Sequence, residues 1–241
     1  MKKIVHPSGD RGFADHGWLK SRHSFSFASF YDPDKIQFGA LRVLNDDRVA
    51  PGKGFGTHPH RDMEIISIPL EGALEHEDSM GNKAVIREGD IQVMSAGTGV
   101  RHSEYNKNQD REVAFLQIWI LPDTPGVSPR YDQIRLDPAA ARNKWFTALG
   151  PQGKHDGLWI HQDAWLHLGH FESGQTPRYS LKAPEHGLYI FVLEGEVQVA
   201  DTRLADRDAL GVWQIGSVDF DILEQSRILL IEVPMAEQAG T

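Results

Sequence analysis

THPHRDMEII at residues 57–66 and GVRHSEYN at residues 99–106 each place two candidate metal ligands two positions apart. The pairs are His58 with His60 and His102 with Glu104. Alternate side chains of a β-strand project from the same face, so two neighbouring strands would present three imidazoles and one carboxylate to a common point. The spacing therefore predicts a β-rich fold with a metal site between two strands.

Three neutral imidazoles and one carboxylate suit a single divalent transition metal. Iron, manganese, nickel, cobalt, copper and zinc all accept nitrogen and oxygen ligands of this kind. Four protein ligands leave two positions of an octahedron open, where a substrate or O2 would bind. The alternative is that these are ordinary strand-end histidines, but two such pairs within one glycine-punctuated β pattern weigh against it.

The sequence between residues 61 and 120 predicts consecutive antiparallel strands. Short β-branched runs such as EIISIPLEG, AVIREGD and VAFLQIWILP are separated by turns rich in Gly, Pro and Asn, which is typical of a sandwich or jelly roll. We expect HSFSFASFY at 23–31 to form a further strand, because Phe25 and Phe27 alternate with serines. His76 lies between two acidic residues and is expected to be solvated.

The second half of the chain repeats the first in a degraded form. LYIFVLEGEVQV at 188–199 resembles EIISIPLEGALEHE at 64–77 when the Leu-Glu-Gly triplets are superposed, an offset of about 123 residues. At that offset Leu181 and Ala183 replace His58 and His60, and no histidine follows His186, so we expect the second half to lack this metal site. His161, His167 and His170 have no carboxylate at ligand spacing, which weighs against a second site.

These features predict an all-β protein with two antiparallel β-barrels of the double-stranded β-helix or jelly-roll kind, packed face to face. Residues 1–135 would form the metal-binding domain and residues 136–241 the domain without ligands. Residues 122–157, rich in Pro, Gly and charge, are predicted to connect the halves.

Bulk composition excludes several classes of protein. With 25 basic and 34 acidic residues the formal net charge is −9, which disfavours direct binding to nucleic acid. The absence of cysteine excludes disulfides and thiolate metal sites. No stretch of about 18 apolar residues and no leader pattern is present, so we expect a cytoplasmic protein that does not bind membranes, and we expect it to be a monomer.

Two longer patterns resemble known families. Gly52, His58, His60 and Glu64 follow the spacing of the first cupin motif, and Gly89, Gly97, His102 and Asn106 resemble the second, although Ser95 stands where cupins usually carry proline. More specific are HGWLKSRHSFSFASFYDP at 16–33, LRVLNDDRVAPGKGFGTHPHRDMEII at 41–66 and SAGTGVRHSEYN at 95–106. Together these phrases resemble the pirin family of the cupin superfamily over about residues 10–135, which implies a bicupin fold.

The resemblance implies iron held by His58, His60, His102 and Glu104, with Glu64 displaced from the metal. It also implies an oxidoreductase similar to quercetin 2,3-dioxygenase, which opens a flavonol with O2. Glu104 would then be both ligand and catalytic base, with Glu64 as the alternative base. Two other functions stay open: an iron-dependent regulator acting through a protein partner, and a metal-stabilised sandwich without turnover. His16 and His23 are expected to be structural.

Overall fold

The computed structural model describes residues 1–235, almost all of whose regular structure is antiparallel β-strand. Residues 236–241 of the expected second domain lie outside the described residues. The strands of the first half are β1 (Lys2–His6), β2 (Gly12–Asp15), β3 (Leu19–His23), β4 (Leu41–Val49), β5 (Gly54–His60), β6 (Glu64–Glu71), β7 (Ala73–Asp78), β8 (Lys83–Arg87), β9 (Asp90–Ser95), β10 (Val100–Asn106), β11 (Val113–Ile120) and β12 (Arg130–Arg135).

The second half adds ten strands: β13 (Trp145–Pro151), β14 (Leu158–Ile160), β15 (Trp165–Phe171), β16 (Arg178–Ser180), β17 (His186–Glu194), β18 (Val197–Val199), β19 (Thr202–Leu204), β20 (Ala209–Trp213), β21 (Ser217–Ile222) and β22 (Ser226–Pro234). Short 3₁₀ helices at Ser8–Asp10 and Pro138–Ala141 are the helical segments of the described chain. Neither is long and apolar enough to cross a membrane.

The strands form two sandwiches of the same design. In the first, a seven-stranded sheet of order β12-β9-β6-β11-β4-β3-β2 faces a four-stranded sheet of order β5-β10-β7-β8. In the second, the corresponding orders are β1-β20-β17-β22-β15-β13-β14 and β16-β21-β18-β19. The predicted pair of jelly-roll-type domains is confirmed, with open facing sheets in place of closed barrels. A strongly twisted sheet of more than about ten strands commonly splits into two packed layers.

The two large sheets pack face to face. Their shared core combines Leu41, Ile66 and Ile118 of the first sheet with Phe191 and Leu229 of the second, all of them buried. Every second residue along β6 points into this interface, as strand alternation requires. The face-to-face arrangement predicted from the repeat is therefore confirmed.

The first strand departs from the expected 1–135 domain. β1 pairs with β20 and forms the edge of the second large sheet, whereas β12 covers the corresponding edge of the first. Since β12 already pairs with β9, the open edge available to β1 lies on the other sandwich. We retain the division between residues 135 and 136 as a proposal for the remaining strands.

Two local predictions were wrong. The chain leaves β3 at His23, and residues 24–30 form a loop in which Ala28 has a φ of 50°, a conformation that a regular strand does not contain. Phe25 is buried nonetheless, in the core between the sandwiches. The expected connector 122–157 contains β12, which forms one edge of the first large sheet, and all of β13, which lies between β15 and β14 in the second.

The sandwich interiors are filled differently. The second holds one continuous apolar cluster that includes Val199, Val218 and Phe220. The apolar residues of the first fall into two separate clusters, one around Phe115 and one around Met94. The candidate site lies inside this first sandwich.

Candidate metal centre

His58, His60 and His102 converge on the inner face of the small sheet. β5 and β10 are antiparallel neighbours, and His102 pairs directly with His58. The ring centroids of the three histidines lie 4.5–4.9 Å apart. One ring nitrogen of each lies within 4.8 Å of the others, so a single ion could contact all three. Alternation of side chains along β5 and β10 therefore predicted how the imidazoles meet.

Glu104 lies next to this group but is oriented differently. A register shift interrupts β10 between His102 and Glu104, and the buried carboxylate reaches the large sheet. Its Oε1 accepts a hydrogen bond from Ser67 Oγ at 3.0 Å, and its Oε2 accepts one from Gln117 Nε2 at 3.0 Å. Among residues 1–235 it groups with His76 and His102, within 4.8 Å, rather than with His58 and His60.

The protonation of the histidines fits a metal. Burial, together with the neighbouring His58 and His76, lowers the pKa of His102 to about 3. Burial and the neighbouring histidines lower the pKa of His60 to about 4. Both rings are thus neutral near pH 7, as metal ligation requires. His58 Nδ1 donates to the Gly56 carbonyl at 2.8 Å, which leaves its Nε2 lone pair free.

A buried polar atom also points to a ligand. His102 Nε2 is buried and has no hydrogen-bond partner among the described residues. An unpaired buried nitrogen is costly, and a bound metal would remove that cost. The three imidazoles and the adjacent Glu104 carboxylate are therefore the candidate ligands of one divalent metal.

The prediction that His76 is solvated was wrong. His76 is fully buried on β7, where Leu74, His76 and Asp78 point inward while Glu77 is exposed. Its Nε2 bonds to Asp78 Oδ2 at 3.0 Å, and its ring lies 4.8 Å from that of Tyr131. The alternation within LEHED was the sequence signal for burial.

Glu64 lies on the opposite face of β6 from Ser67, in the interface between the sandwiches. Its Oε2 accepts a hydrogen bond from Ser95 at 2.6 Å, and its Oε1 lies 3.1 Å from His161 Nδ1. Burial raises the pKa of Glu64, against the hydrogen bonds from Ser95 and His161. Because the sheet separates it from the metal centre, Glu64 is not an alternative base.

The other histidines considered from the sequence have separate contacts. His23 is buried and bonds to Asn45 Oδ1 at 2.9 Å, and His16 lines the cavity described below. In the second sandwich His167 bonds to Tyr179 Oη at 2.7 Å, whereas His170 bonds to Gln225 at 3.0 Å. His161, His167 and His170 thus have separate partners.

A cavity of about 300 Å³ opens beside the metal centre, bordered by His58, His60, His102 and Glu104. Its walls are mostly apolar and include Phe27, Phe55 and Trp119. The Trp119 ring lies 5.0 Å from His60 and 5.4 Å from Phe27, centroid to centroid. Flat aromatic walls of this kind suit a flat aromatic ligand.

Besides His102 Nε2, three cavity-lining polar atoms have no hydrogen-bond partner within residues 1–235. They are Asp47 Oδ1, Gln117 Oε1 and Trp119 Nε1. Burial raises the pKa of Asp47 to about 7, although a hydrogen bond from Ser21 opposes the shift. The sequence analysis missed Asp47, whose signal was its alternation with Val49 along LRVLNDDRV. A ligand carrying hydroxyl groups could satisfy these atoms.

Comparison with known proteins agrees with this geometry. The family model described as Pirin matches residues 6–120, and that described as Quercetinase C-terminal cupin domain matches residues 147–233. A protein of Escherichia coli strain K12 named quercetin 2,3-dioxygenase is 41% identical, with 94% of this chain and 96% of the relative covered. The chain belongs to the pirin family. A pirin-like protein of Caulobacter vibrioides is also 41% identical, over 94% of this chain and 97% of its own.

Solved structures of other proteins have the same fold. The structure of the E. coli pirin YhhW in complex with nickel(II) matches with a TM-score of 0.92 at 39% identity, covering 98% of this chain and 100% of that one. A quercetin 2,3-dioxygenase of Acinetobacter baumannii, 23% identical, matches in fold with a TM-score of 0.78, covering 97% of this chain and 87% of that one. The resemblance to pirins in the sequence is confirmed, as is membership of a family of metal-dependent dioxygenases.

Proposed function

We propose that this pirin is an Fe(II)-dependent dioxygenase that cleaves a flavonol such as quercetin with O2. The observation that carries the proposal is the direct opening of a three-histidine group into an aromatic-walled cavity. Relatives at 41% identity carry the name quercetin 2,3-dioxygenase, which supports the substrate class. A cytoplasmic location, a monomeric state and the metal's identity remain predictions.

Different residues of the protein would bind the metal, bind the substrate rings and accept hydrogen bonds from the substrate. His58, His60, His102 and Glu104 would hold the metal, whose bound form supplies the redox chemistry that O2 requires. Trp119, Phe27 and Phe55 would hold the flat rings and exclude water. Asp47 and Gln117 would accept hydrogen bonds from the ligand's hydroxyl groups.

Glu104 is our proposed base for the flavonol hydroxyl proton. It is the carboxylate that lies both in the histidine cluster and on the cavity wall. Ser67 and Gln117 fix its orientation from the large sheet, so each oxygen has one lone pair engaged and one left for a metal or a proton. A base must lie within hydrogen-bond reach of the proton that it takes, and Glu104 on the cavity wall would be within that reach of a flavonol bound there.

The test is anaerobic reconstitution with Fe(II), followed by O2 uptake in the presence of a flavonol. We expect one O2 consumed for each flavonol lost, and no uptake by the zinc-loaded protein, since zinc has no redox chemistry. Tight iron binding without uptake would contradict the enzyme and favour a regulator that acts through a protein partner.

A further inference from the structure

His76 is a buried histidine that contacts the metal centre without belonging to the predicted ligand set. Its Nδ1 lies 3.5 Å from His102 Nδ1, and its Nε2 lies 3.0 Å from Asp78 Oδ2. All three side chains are at least nine-tenths buried. They form a chain of hydrogen bonds that ends at a candidate metal ligand.

The direction of each hydrogen bond in this chain is fixed by Asp78. Its Oδ1 accepts the backbone N–H groups of Met80 at 2.9 Å and Asn82 at 3.1 Å, so the carboxylate acts as an acceptor. His76 must then donate Nε2–H to Oδ2, which leaves its Nδ1 with a lone pair. Two facing lone pairs would repel, so His102 donates Nδ1–H to His76, and His102 Nε2 keeps the free lone pair.

His58 also carries its proton on Nδ1, but a different group accepts the hydrogen bond. Its Nδ1 donates to the Gly56 carbonyl, 2.8 Å away, which also leaves Nε2 free. Within residues 1–235 the partner at His102 Nδ1 is His76 and not a carbonyl. Metal-bound histidines commonly donate the second ring N–H to a carboxylate or carbonyl, which fixes the tautomer.

We propose that Asp78 and His76 are positioning residues that hold His102 in the tautomer that ligates the metal through Nε2. The inference rests on the metal site of the proposed function but not on its substrate. Asp78 and His76 thus orient His102 and make no contact with substrate. It also explains why a histidine and an aspartate two residues apart are buried together.

Histidine ring NMR of the metal-free protein tests this directly. The ¹⁵N shifts and ring-proton correlations distinguish Nδ1–H from Nε2–H without metal or activity. We expect His102 as Nδ1–H and His76 as Nε2–H. An Nε2–H tautomer at His102 in the wild-type protein would overturn the proposal, and would do so whether or not the protein cleaves flavonols.

The variant Asp78→Asn should reverse the donor and acceptor in both hydrogen bonds that link residue 78, His76 and His102. The two backbone N–H groups keep the amide oxygen at the Oδ1 position, so Nδ2 faces His76 and donates to its Nε2. His76 then carries Nδ1–H, and His102 is forced to Nε2–H. We expect zinc binding about 10–100-fold weaker, the usual effect of losing such a partner. Unchanged zinc affinity with reversed tautomers would contradict the positioning role.

Two further variants separate positioning from stability. Asp90 is a buried aspartate on β9 that also accepts a backbone N–H, from Arg87 at 2.8 Å, so Asp90→Asn should cost stability but leave both tautomers and zinc affinity unchanged.

His76→Phe keeps a ring in place without touching the 78–82 turn. It should give mixed His102 tautomers and weaker zinc binding; a pure Nδ1–H form would overturn the proposal even if Asp78→Asn fails to fold.

Discussion

Equivalent rows of directly paired residues cross the inner faces of the two large sheets, and their chemistry differs. In the first sandwich the row reads Gln92, Ser67, Gln117, Asn45 and His23. In the second it reads Leu210, Ile190, Leu230, His167 and Thr147. Strand order is the same in both, so the difference lies in the side chains and not in the scaffold.

The small sheets differ in the same way. In the first sandwich the paired residues are His58–His102 and His76–Glu104. At the equivalent strand positions of the second sandwich the pairs are Tyr179–Val218 and Val199–Phe220. The second interior is therefore a continuous apolar cluster, which contributes stability through burial. The first interior contributes less stability through apolar burial, because its polar groups surround a cavity. The same fold thus has one interior that stabilises the protein and another that contains the candidate metal centre.

The largest effect on stability is expected from the apolar interior. Phe220 is fully buried, and its ring lies 5.1 Å from that of Trp145. Phe220→Ala should lower the free energy of unfolding by about 3–5 kcal/mol, the usual cost of such a cavity. Urea denaturation measures this, while zinc stoichiometry should stay unchanged. Loss of zinc binding in the folded variant would show that the interiors are not independent.

The next effect concerns turnover. Glu104→Gln keeps an oxygen donor but cannot take a proton, so the iron-loaded variant should turn over flavonol about 10²-fold slower. The fold should tolerate it, because Gln117 Oε1 has no partner in the described part of the chain and the Gln117 amide can rotate to accept from the new N–H. O2 uptake under excess Fe(II) provides the rate.

Glu64→Gln is the matched control. Glu64 is equally buried and doubly hydrogen-bonded, but it lies on the other face of the large sheet. Its turnover should stay within about threefold of wild type, since it contacts no reacting group. Near-normal turnover in Glu104→Gln would contradict the base assignment.

A smaller effect is expected from pH. The pKa of His102 is about 3 in the folded, metal-free protein, against about 6.5 in an unfolded chain. Between these values the unfolded state binds a proton that the folded state does not, so stability is full above pH 6.5 and falls as the pH falls. The loss approaches about 1.4 kcal/mol per pH unit for one histidine.

Thermal melts of the metal-free protein between pH 7.5 and 5 check this effect. His102→Gln removes one titrating group and should reduce the dependence, while His60, whose pKa is also lowered, keeps part of it. Its melting temperature would then change less across the range than that of the wild type. An equal slope in both proteins would mean that His102 is already charged in the folded state.

Local patterns predicted much of this structure. His58, His60 and His102 were identified because alternation on a strand is a local rule, and the Leu-Glu-Gly triplets marked equivalent turns in both halves. Gly72 and Gly195, which end those triplets, both have positive φ, at 80° and 91°. Such turns depend on the neighbouring residues alone, so the sequence is sufficient to place them.

Features set by distant contacts were not predictable in this way. The pairing of β1 with β20 depends on which sheet edge is open, and the burial of His76 depends on the facing sheet. The orientation of Glu104 depends on Ser67 and Gln117, respectively 37 and 13 residues away. Asp47 became a candidate because the folded chain brought β4 to the cavity.

The central claim is that the first sandwich holds one metal and that its three histidines are required. Equilibrium dialysis against Fe(II) without oxygen, followed by elemental analysis, tests it most directly. We expect one iron per chain in the wild type and in His170→Ala, whose histidine bonds to Gln225 in the second sandwich, and none in His60→Ala. Full iron occupancy in folded His60→Ala, or loss of iron in His170→Ala, would contradict the account.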